Sequence, residues 1–188
     1  MKIAITGTIA SGKTEVCKYL ENKGLHVFYA DEYNNYLLHN NNYVKDKIKE
    51  LFPQTLIDGE IDNQKLAELV FNDKNSLNKL EEILYPLILN KITEEESKHD
   101  LLICEIPLLF EKSWDKYFDH NLLIVAEDND IKTRLINKGY TNDMINRRLS
   151  NQMSVSEKVN RAEEIIYNRS SFPTLYSSID NWISKYVR

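Results

Sequence analysis

The feature that most constrains this chain is a glycine-bearing loop at residues 7–14, with the sequence GTIASGKT. An apolar run at 2–6 has strand character, and a helical pattern runs from Lys13 to about Lys23, where Gly24 is a stop signal. Strand, loop and helix in this order are the context in which the Walker A pattern forms a phosphate-binding loop. The alternative, an accidental glycine loop with a surface lysine, is disfavoured by that context.

A loop of this kind binds phosphate mainly through its backbone. Successive N–H groups point inward around the β-phosphate, and the start of the helix adds the positive end of its dipole. Lys13 is then expected to bridge the β- and γ-phosphates, and the hydroxyl of Thr14 is expected to bind Mg²⁺. The loop therefore predicts a nucleotide substrate such as ATP, with Mg²⁺ as its companion cation.

Short apolar runs recur along the chain and alternate with helical patterns. The runs with strand character are 2–6, 25–29, 101–106, 121–126 and 164–167. Apolar residues at helical spacing follow the last of them, over 171–187. This alternation predicts an α/β fold built on a mostly parallel five-stranded sheet with helices on both faces.

Two long excursions interrupt this alternation. Residues from about 32 to 99 carry helical patterns and predict an acceptor-binding insertion, with a turn at Asp58 and Gly59 and a helix that starts near Pro86. Residues from about 127 to 161 predict a helical lid. The rest of the chain, about 1–31, 100–126 and 162–188, is the predicted core of the same single domain.

Composition argues against several classes of protein. A net charge of −5 is unfavourable for binding nucleic acid. No apolar stretch reaches the roughly 18 residues of a membrane span, so we expect neither nucleic acid nor membrane as a partner, and a cytoplasmic location. Cys17 and Cys104 lie far apart within apolar patterns, which predicts buried free thiols rather than a disulfide or metal site. The four histidines show no metal-ligand spacing.

The phosphate loop alone fits a kinase, an ATPase, a GTPase or a nucleic-acid motor. The chain has no Asn-Lys-x-Asp element of a GTPase, and a motor normally needs a longer chain. A small-molecule kinase needs an acceptor pocket and a lid that excludes water, and the two excursions suit these roles. Two alternatives remain: a kinase for another nucleotide or small hydroxyl metabolite, and a slow nucleotide-dependent regulatory protein. A monomer is compatible with the sequence, which does not set the oligomeric state.

Six further segments, in order along nearly the whole chain, resemble the dephospho-CoA kinase family. They are ADE at 30–32, DG at 58–59, LYPLI at 84–88, EIPLLFE at 105–111, RLSNQ at 148–152 and AEEIIYN at 162–168. The resemblance implies transfer of the γ-phosphoryl group of ATP to the ribose 3′-hydroxyl of dephospho-CoA, the last step of coenzyme A synthesis. Four positions depart from the usual family residues, which are glycine, histidine, aspartate and arginine; this chain has Thr8, Tyr85, Glu105 and Lys138 there.

The resemblance implies catalytic roles for four residues, one of which is Lys13. Asp31 follows the second strand and would act as the general base for the acceptor hydroxyl; the alternative is a helix N-cap. Arg134 and Arg148 of the lid would clamp ATP oxygens as charge develops on them. The alternative for each arginine is a solvated helix face, which is favoured for the adjacent Arg147.

The remaining assignments concern binding. The residues predicted to bind ATP are Gly7, Ala10, Ser11, Gly12, Lys13, Thr14, Glu15 and Asn168. Asn168 would lie near the adenine, although a turn residue is the alternative. Glu105 and Thr14 are predicted to bind Mg²⁺. The alternative for Glu105 is a structural ion pair. The residues predicted to bind the acceptor are Asp31, Tyr85, Pro107, Leu108 and Leu109. For residues 107–110 a core role is the alternative.

Overall fold

A computed structural model describes residues 1–169 and 171–187 and contains a parallel sheet of five strands. In chain order the strands are β1 Lys2–Gly7, β2 His26–Tyr29, β3 Leu56–Ile57, β4 Glu60–Ile61, β5 Leu102–Glu105, β6 His120–Val125 and β7 Glu164–Tyr167. The sheet has the strand order β2-β5-β1-β6-β7, and β3 pairs with β4 as a separate hairpin. The predicted α/β fold with a five-stranded parallel sheet is confirmed.

Helices connect the strands. They are α1 Lys13–Asn22, α2 Ala30–Asn40, α3 Asn42–Leu51, α4 Asn63–Asn72, α5 Lys74–Glu96, α6 Asp128–Asn137, α7 Asn142–Ser150, α8 Val155–Arg161 and α9 Phe172–Ile183. Local sequence sets their ends: the side chain of Thr141 caps α7, and Ser154 and Glu157 form a reciprocal capping box on α8. Among the described residues, no helix has both the length and the apolar character needed to cross a lipid bilayer.

The chain comprises two compact units. One comprises Met1–Tyr29 and Glu95–Arg188 and contains the parallel sheet. The other is Ala30–Glu94, with the hairpin, α2 to α4 and all of α5 except its last two residues. The hairpin turns at Asp58 and Gly59, whose φ angles of 51° and 82° are the two successive left-handed residues that a tight two-residue turn requires.

The sheet is buried on both faces, as expected for a parallel sheet covered by helices. On one face Ile3 and Ile5 pack with the buried residues of α1 and α9. Ala4, which alternates with them along β1, is also completely buried. Cys17 and Cys104 are buried free thiols, as predicted, and burial is the main cause that raises the pKa of each.

The prediction that a helix starts near Pro86 is wrong, because Pro86 lies inside the 23-residue helix α5. Proline cannot donate the hydrogen bond to the carbonyl four residues earlier, and for this reason it usually marks a helix end. In α5 the buried apolar residues continue at helical spacing on both sides of the proline, at Leu80, Ile83, Leu84, Ile88 and Ile92. Burial of this stripe outweighs the lost bond.

Candidate active site

The predicted phosphate loop connects β1 to α1, and two glycines are needed for its shape. A Cβ atom on Gly7 would lie 2.4 Å from the carbonyl oxygen of Ile124 on the neighbouring strand, so the two chains can approach only without a side chain. Gly12 directly precedes α1 and has a φ of 106°, in the left-handed region that favours glycine. The loop therefore places the amino end of α1, with its N–H groups and dipole, at the carboxyl end of the central strand β1.

Replacing Gly12 with alanine is expected to destabilise the protein through two effects. The new Cβ would lie 2.3 Å from Nδ2 of Asn168 and displace a buried side chain, in addition to straining the backbone. Gly139 is a matched control, because its φ of 86° gives the same kind of strain with no atom within 4 Å of the Cβ. We expect Gly12→Ala to lower the free energy of unfolding by about 1–3 kcal/mol more than Gly139→Ala does, measured by denaturant titration. Equal losses would contradict the steric argument.

Lys13, the first residue of α1, folds over the loop that precedes it. Its side chain is only 8% exposed, and Nζ donates to the carbonyl oxygens of Gly7 at 3.1 Å and Thr8 at 3.0 Å. The ammonium group is thus held inside the ring of loop backbone atoms rather than extended into solvent. A lysine so placed offers a fixed positive charge to any anion that the loop N–H groups bind.

Two side chains from distant parts of the chain hold the carboxyl half of the loop. Arg134 of α6 donates from Nη1 to the carbonyl oxygens of Ala10 at 3.0 Å and Ser11 at 3.3 Å. Asn168, which follows β7, is buried and donates from Nδ2 to the same Ser11 oxygen at 2.8 Å. These contacts bring both predicted ATP-site residues to the loop. They support the loop's backbone, a role that the sequence analysis did not predict for either residue.

Thr14 and Glu105 lie together, as expected for a site that holds a hard cation. The hydroxyl of Thr14 donates to the Glu105 carboxylate, with distances of 3.3 and 3.5 Å to its two oxygens. Glu105 ends β5, which pairs directly with β1, and is only 9% exposed. A hydroxyl and a carboxylate are oxygen donors of the kind that Mg²⁺ prefers, so this pair of residues fits the predicted ion.

A cleft of about 470 Å³ opens beside the loop and collects positive charge. Its lining residues are Ala10, Gly12, Lys13, Thr14, Glu15, Lys18, Arg134, Lys138, Asn168 and Phe172. Four of these are cationic and one is acidic, in a chain whose net charge is −5, so the local charge of the cleft favours an anion. Lys18 and Phe172 were not predicted as site residues. Lys18 lies one turn beyond Thr14 on α1, and that spacing could have indicated it.

Glu15 joins the cleft to helix α9. The hydroxyl of Tyr176 donates to its carboxylate, and this hydrogen bond is the main cause that raises the pKa of Tyr176. Tyr176 in turn stacks on Tyr19 of α1 with ring centroids 4.0 Å apart and an angle of 3° between the planes. Glu15 was predicted to bind ATP, and its side chain links α1 to α9 at one wall of the cleft.

The region predicted as a lid contacts the loop through a glutamine and a small apolar cluster. The side chain of Gln152 accepts a hydrogen bond from the backbone N–H of Ile9 at 3.0 Å. Ile9 and Ala10 also pack against buried residues of α6 and α7, Ile131, Leu135 and Ile145 among them. Gln152 belongs to a segment that carried the resemblance, but no role was predicted for it.

Arg148 does not line the cleft. It is exposed on α7, and its guanidinium carbon lies 4.9 Å from the centre of the Tyr140 ring, a cation–π contact. The adjacent Arg147 is also exposed. The structure therefore brings Arg134, but not Arg148, to the loop, and a role for Arg148 in binding ATP stays a prediction.

In the segment that follows β5, residues 107 and 108 are accessible to solvent, whereas residues 109 and 110 are buried. Pro107 is half-buried and Leu108 is 37% exposed, so both side chains can be reached from outside. Leu109 and Phe110 are completely or almost completely buried. Full burial favours the core alternative for Leu109 over the predicted contact with an acceptor, because its side chain has no surface to offer.

Helix α8 fixes the position of this segment through charged side chains that the sequence analysis did not single out. Lys158 is completely buried and forms an ion pair with Glu111 at 2.8 Å. Arg161 donates to the carbonyl oxygen of Phe110 at 2.7 Å and to Asp115 at 2.8 Å. Removal of one partner from a buried pair of this kind strongly destabilises a protein, because the other charge stays buried without compensation.

Two predicted site residues belong to the unit Ala30–Glu94. Asp31 is exposed in the first turn of α2, and because α2 begins at Ala30 it does not occupy the capping position that precedes a helix. Tyr85 is half-buried in α5, where burial is the main cause that raises its pKa, followed by a hydrogen bond with Glu81. The roles of both residues toward an acceptor stay predictions.

Known proteins resemble this chain over almost its full length. A sequence profile described as CoaE, dephospho-CoA kinase, matches residues 1–174. The dephospho-CoA kinase of Fusobacterium nucleatum is 34% identical over 191 residues, which cover 97% of this chain and 96% of the relative. Among solved structures, TT1252 from Thermus thermophilus has a TM-score of 0.91 at 30% identity and covers 100% of this chain and 98% of its own. The dephospho-CoA kinase from Campylobacter jejuni has a TM-score of 0.71 at 25% identity, with 98% and 97% covered. This chain belongs to the dephospho-CoA kinase family.

Proposed function

We propose that the protein transfers the γ-phosphoryl group of ATP to the ribose 3′-hydroxyl of dephospho-CoA and so completes the synthesis of coenzyme A. The observation that carries the proposal is the match of residues 1–174 to this family in a chain whose Lys13 lies inside a phosphate loop. The cationic cleft beside that loop supports ATP as the donor.

The chain's own groups account for binding of the triphosphate. The N–H groups at the amino end of α1 would surround the phosphates, while Lys13 adds a charge-assisted hydrogen bond that strengthens as negative charge moves toward the leaving oxygen. Arg134 and Asn168 keep the carbonyl oxygens of the loop occupied, so that the loop's backbone is set before the nucleotide binds.

Thr14 and Glu105 would hold Mg²⁺, Thr14 by its hydroxyl and Glu105 through its carboxylate or through a water. When bound, the ion would neutralise negative charge on the β- and γ-phosphate oxygens. The glutamate has a longer side chain than the aspartate that is usual in this family, and this favours a contact that reaches across the gap between β5 and α1.

Asp31 is the proposed general base. Its carboxylate would accept the proton of the 3′-hydroxyl while that oxygen forms a bond to the γ-phosphorus and the bond from the phosphorus to the ADP oxygen breaks. Two points support the assignment: Asp31 comes two residues after the carboxyl end of β2, and it matches the family's acidic segment. We further propose that residues 32–99 bind the acceptor, with contributions from Tyr85, Pro107 and Leu108, and that 127–161 close over ATP.

Replacing Arg148 with alanine is expected to lower kcat more than it raises the KM for ATP. On α7, Arg148 is exposed and its guanidinium contacts Tyr140, so a contact with ATP oxygens would form when the lid closes and would act mainly in the transition state. Arg147→Ala is the matched control, with a neighbouring exposed arginine removed from the same helix, and should behave like the wild type. A change confined to KM would restrict Arg148 to ground-state binding.

The direct test of the function is phosphate transfer from ATP and Mg²⁺ to dephospho-CoA, with adenosine, shikimate and AMP as comparison acceptors. We expect coenzyme A as the product and slow turnover of ATP when no acceptor is present. Good turnover of a different acceptor, with none of dephospho-CoA, would overturn the proposal. A cytoplasmic location and the absence of nucleic-acid and membrane partners stay predictions from the sequence.

A further inference from the structure

A second cluster of chemically active side chains lies at the amino ends of the sheet's strands, whereas the phosphate loop lies at their carboxyl ends. His26 is the first residue of β2, so it lies at the amino end of that strand, whereas the loop lies at the carboxyl end of β1. Glu95 lies in the last turn of α5, and His99 follows three residues after that helix ends. The kinase mechanism uses none of these three residues.

The three side chains converge to distances that a shared ion would require. Oε2 of Glu95 lies 3.4 Å from Nε2 of His26 and 3.8 Å from Nε2 of His99. One ligand atom from each residue can be chosen so that all lie within 4.8 Å of one another. A tetrahedral ion with ligand distances of about 2.1 Å places its ligand atoms about 3.4 Å apart. The spacing therefore suits a shared ion once the two imidazole rings, which stack with an angle of 11° between their planes, rotate so that one nitrogen of each points at it.

The cluster combines a fixed carboxylate with reachable imidazoles. The side chain of Glu95 is 13% exposed, and its other oxygen, Oε1, accepts a bond from Lys98 at 3.0 Å. The two histidine side chains are 40% and 35% exposed, and their rings stack with centroids 4.0 Å apart. Both rings line a surface depression of about 920 Å³, which gives an ion and its waters access from solvent.

We propose that His26, Glu95 and His99 form a binding site for a divalent cation of the Zn²⁺ class, with solvent in the remaining position. Two imidazoles and a carboxylate form a recurrent Zn²⁺ ligand set. Nitrogen-rich sites favour Zn²⁺, Ni²⁺ or Co²⁺ over Mg²⁺, which prefers six oxygen ligands, so the ion bound with ATP does not compete for this site. A bound ion would connect the start of β2 to the end of α5.

The test is a Zn²⁺ titration, measured by calorimetry in the presence of excess Mg²⁺, of untagged protein that has been dialysed against a chelator. We expect one Zn²⁺ per chain, visible absorption of a four-coordinate site when Co²⁺ replaces it, and a rise in the thermal unfolding midpoint on Zn²⁺ binding. The variants His26→Gln, Glu95→Gln and His99→Gln should each weaken Zn²⁺ binding by at least about 10-fold.

His120→Gln is the matched control, because His120 also contacts a glutamate, Glu163 at 3.0 Å, but within residues 1–169 and 171–187 no third metal-ligating side chain converges with this pair. Its Zn²⁺ affinity should equal that of the wild type. Circular dichroism of each metal-free variant checks that it folds. Absence of stoichiometric binding by the wild type, wild-type affinity in any of the three site variants, or an equal loss in His120→Gln would overturn the site. These measurements do not depend on kinase activity.

Discussion

Lys13→Ala is expected to lower kcat/KM for ATP by about 10²- to 10³-fold, the size of effect seen when one preorganised donor to a developing charge is lost. The ammonium group of Lys13 lies inside the loop, bonded to the carbonyl oxygens of Gly7 and Thr8, so no other side chain can take its position without rebuilding the loop. Steady-state kinetics with ATP and dephospho-CoA measure the effect, and calorimetry with ATP separates binding from turnover.

Lys132→Ala is the control for a simple loss of positive charge. Lys132 is exposed on α6 and does not line the cleft, so its removal lowers the net charge equally but should leave kcat/KM unchanged. A thermal melt of Lys13→Ala checks that the loop change does not unfold the protein. Wild-type turnover in a folded Lys13→Ala variant would remove the loop from the proposed mechanism.

Asp31→Asn is expected to reduce kcat by at least about 10²-fold, because positioned general bases contribute roughly 10²- to 10⁴-fold. Asparagine keeps the size of the side chain but does not accept the 3′-hydroxyl proton. Asp31 lies in the first turn of α2, where a negative charge gains only about 0.3–1 kcal/mol from the helix dipole, so stability should change little. Binding of ATP should also be nearly unchanged.

Glu32→Gln is the matched control, since Glu32 is the other acidic residue in the first turn of α2 and is equally exposed. It loses the same interaction with the helix dipole and should retain wild-type kcat. A variant Asp31→Asn with more than about half of the wild-type kcat would defeat the base assignment, given the effect expected of a catalytic base. In that case the role of Asp31 would be confined to its helix.

The sheet was predictable because its strands are short continuous apolar runs between helices. The predicted strand 164–167 coincides with β7, and the other four differ from the observed strands by one residue at one or both ends. Such runs are typical of strands buried on both faces, and buried parallel strands carry this signal more clearly than edge hairpins do. Strands β3 and β4, with two residues each, give no periodicity to detect, although their turn at Asp58 and Gly59 was predicted.

The candidate site was predictable only where one local motif determines it. Lys13, Thr14 and the loop glycines follow from a single contiguous pattern, in which each residue's position relative to the strand and helix fixes its role. Gln152, by contrast, contacts Ile9 across 143 positions of the sequence, and the buried pair of Glu111 and Lys158 spans two elements with no fixed spacing. Contacts of this kind depend on packing, which local spacing does not specify.

The two histidines of the proposed cation site show most clearly that local spacing does not predict contacts made by packing. His26 and His99 were assigned no chemistry because ligand spacing along the chain was absent, yet their rings stack at 4.0 Å beside Glu95. The end of α5 and the start of β2 are far apart in sequence and come together in the folded protein, in which β5 pairs with β2. A cluster assembled from separate elements leaves no pattern in sequence.

The central place of the first strand has a consequence for biosynthesis. β1 precedes the other four strands of the sheet in sequence, but it lies between β5 and β6, where Ile3 pairs with Ile103 and Gly7 with Ile124. At about 5–20 residues per second, translation delays these partners by roughly 5 to 23 s. During this interval the apolar strand has no native neighbour in the sheet, and such long-range parallel pairing is slow and exposed to aggregation. In the growing chain β1 is therefore unable to complete its native pairing until residue 124 of β6 has been synthesised.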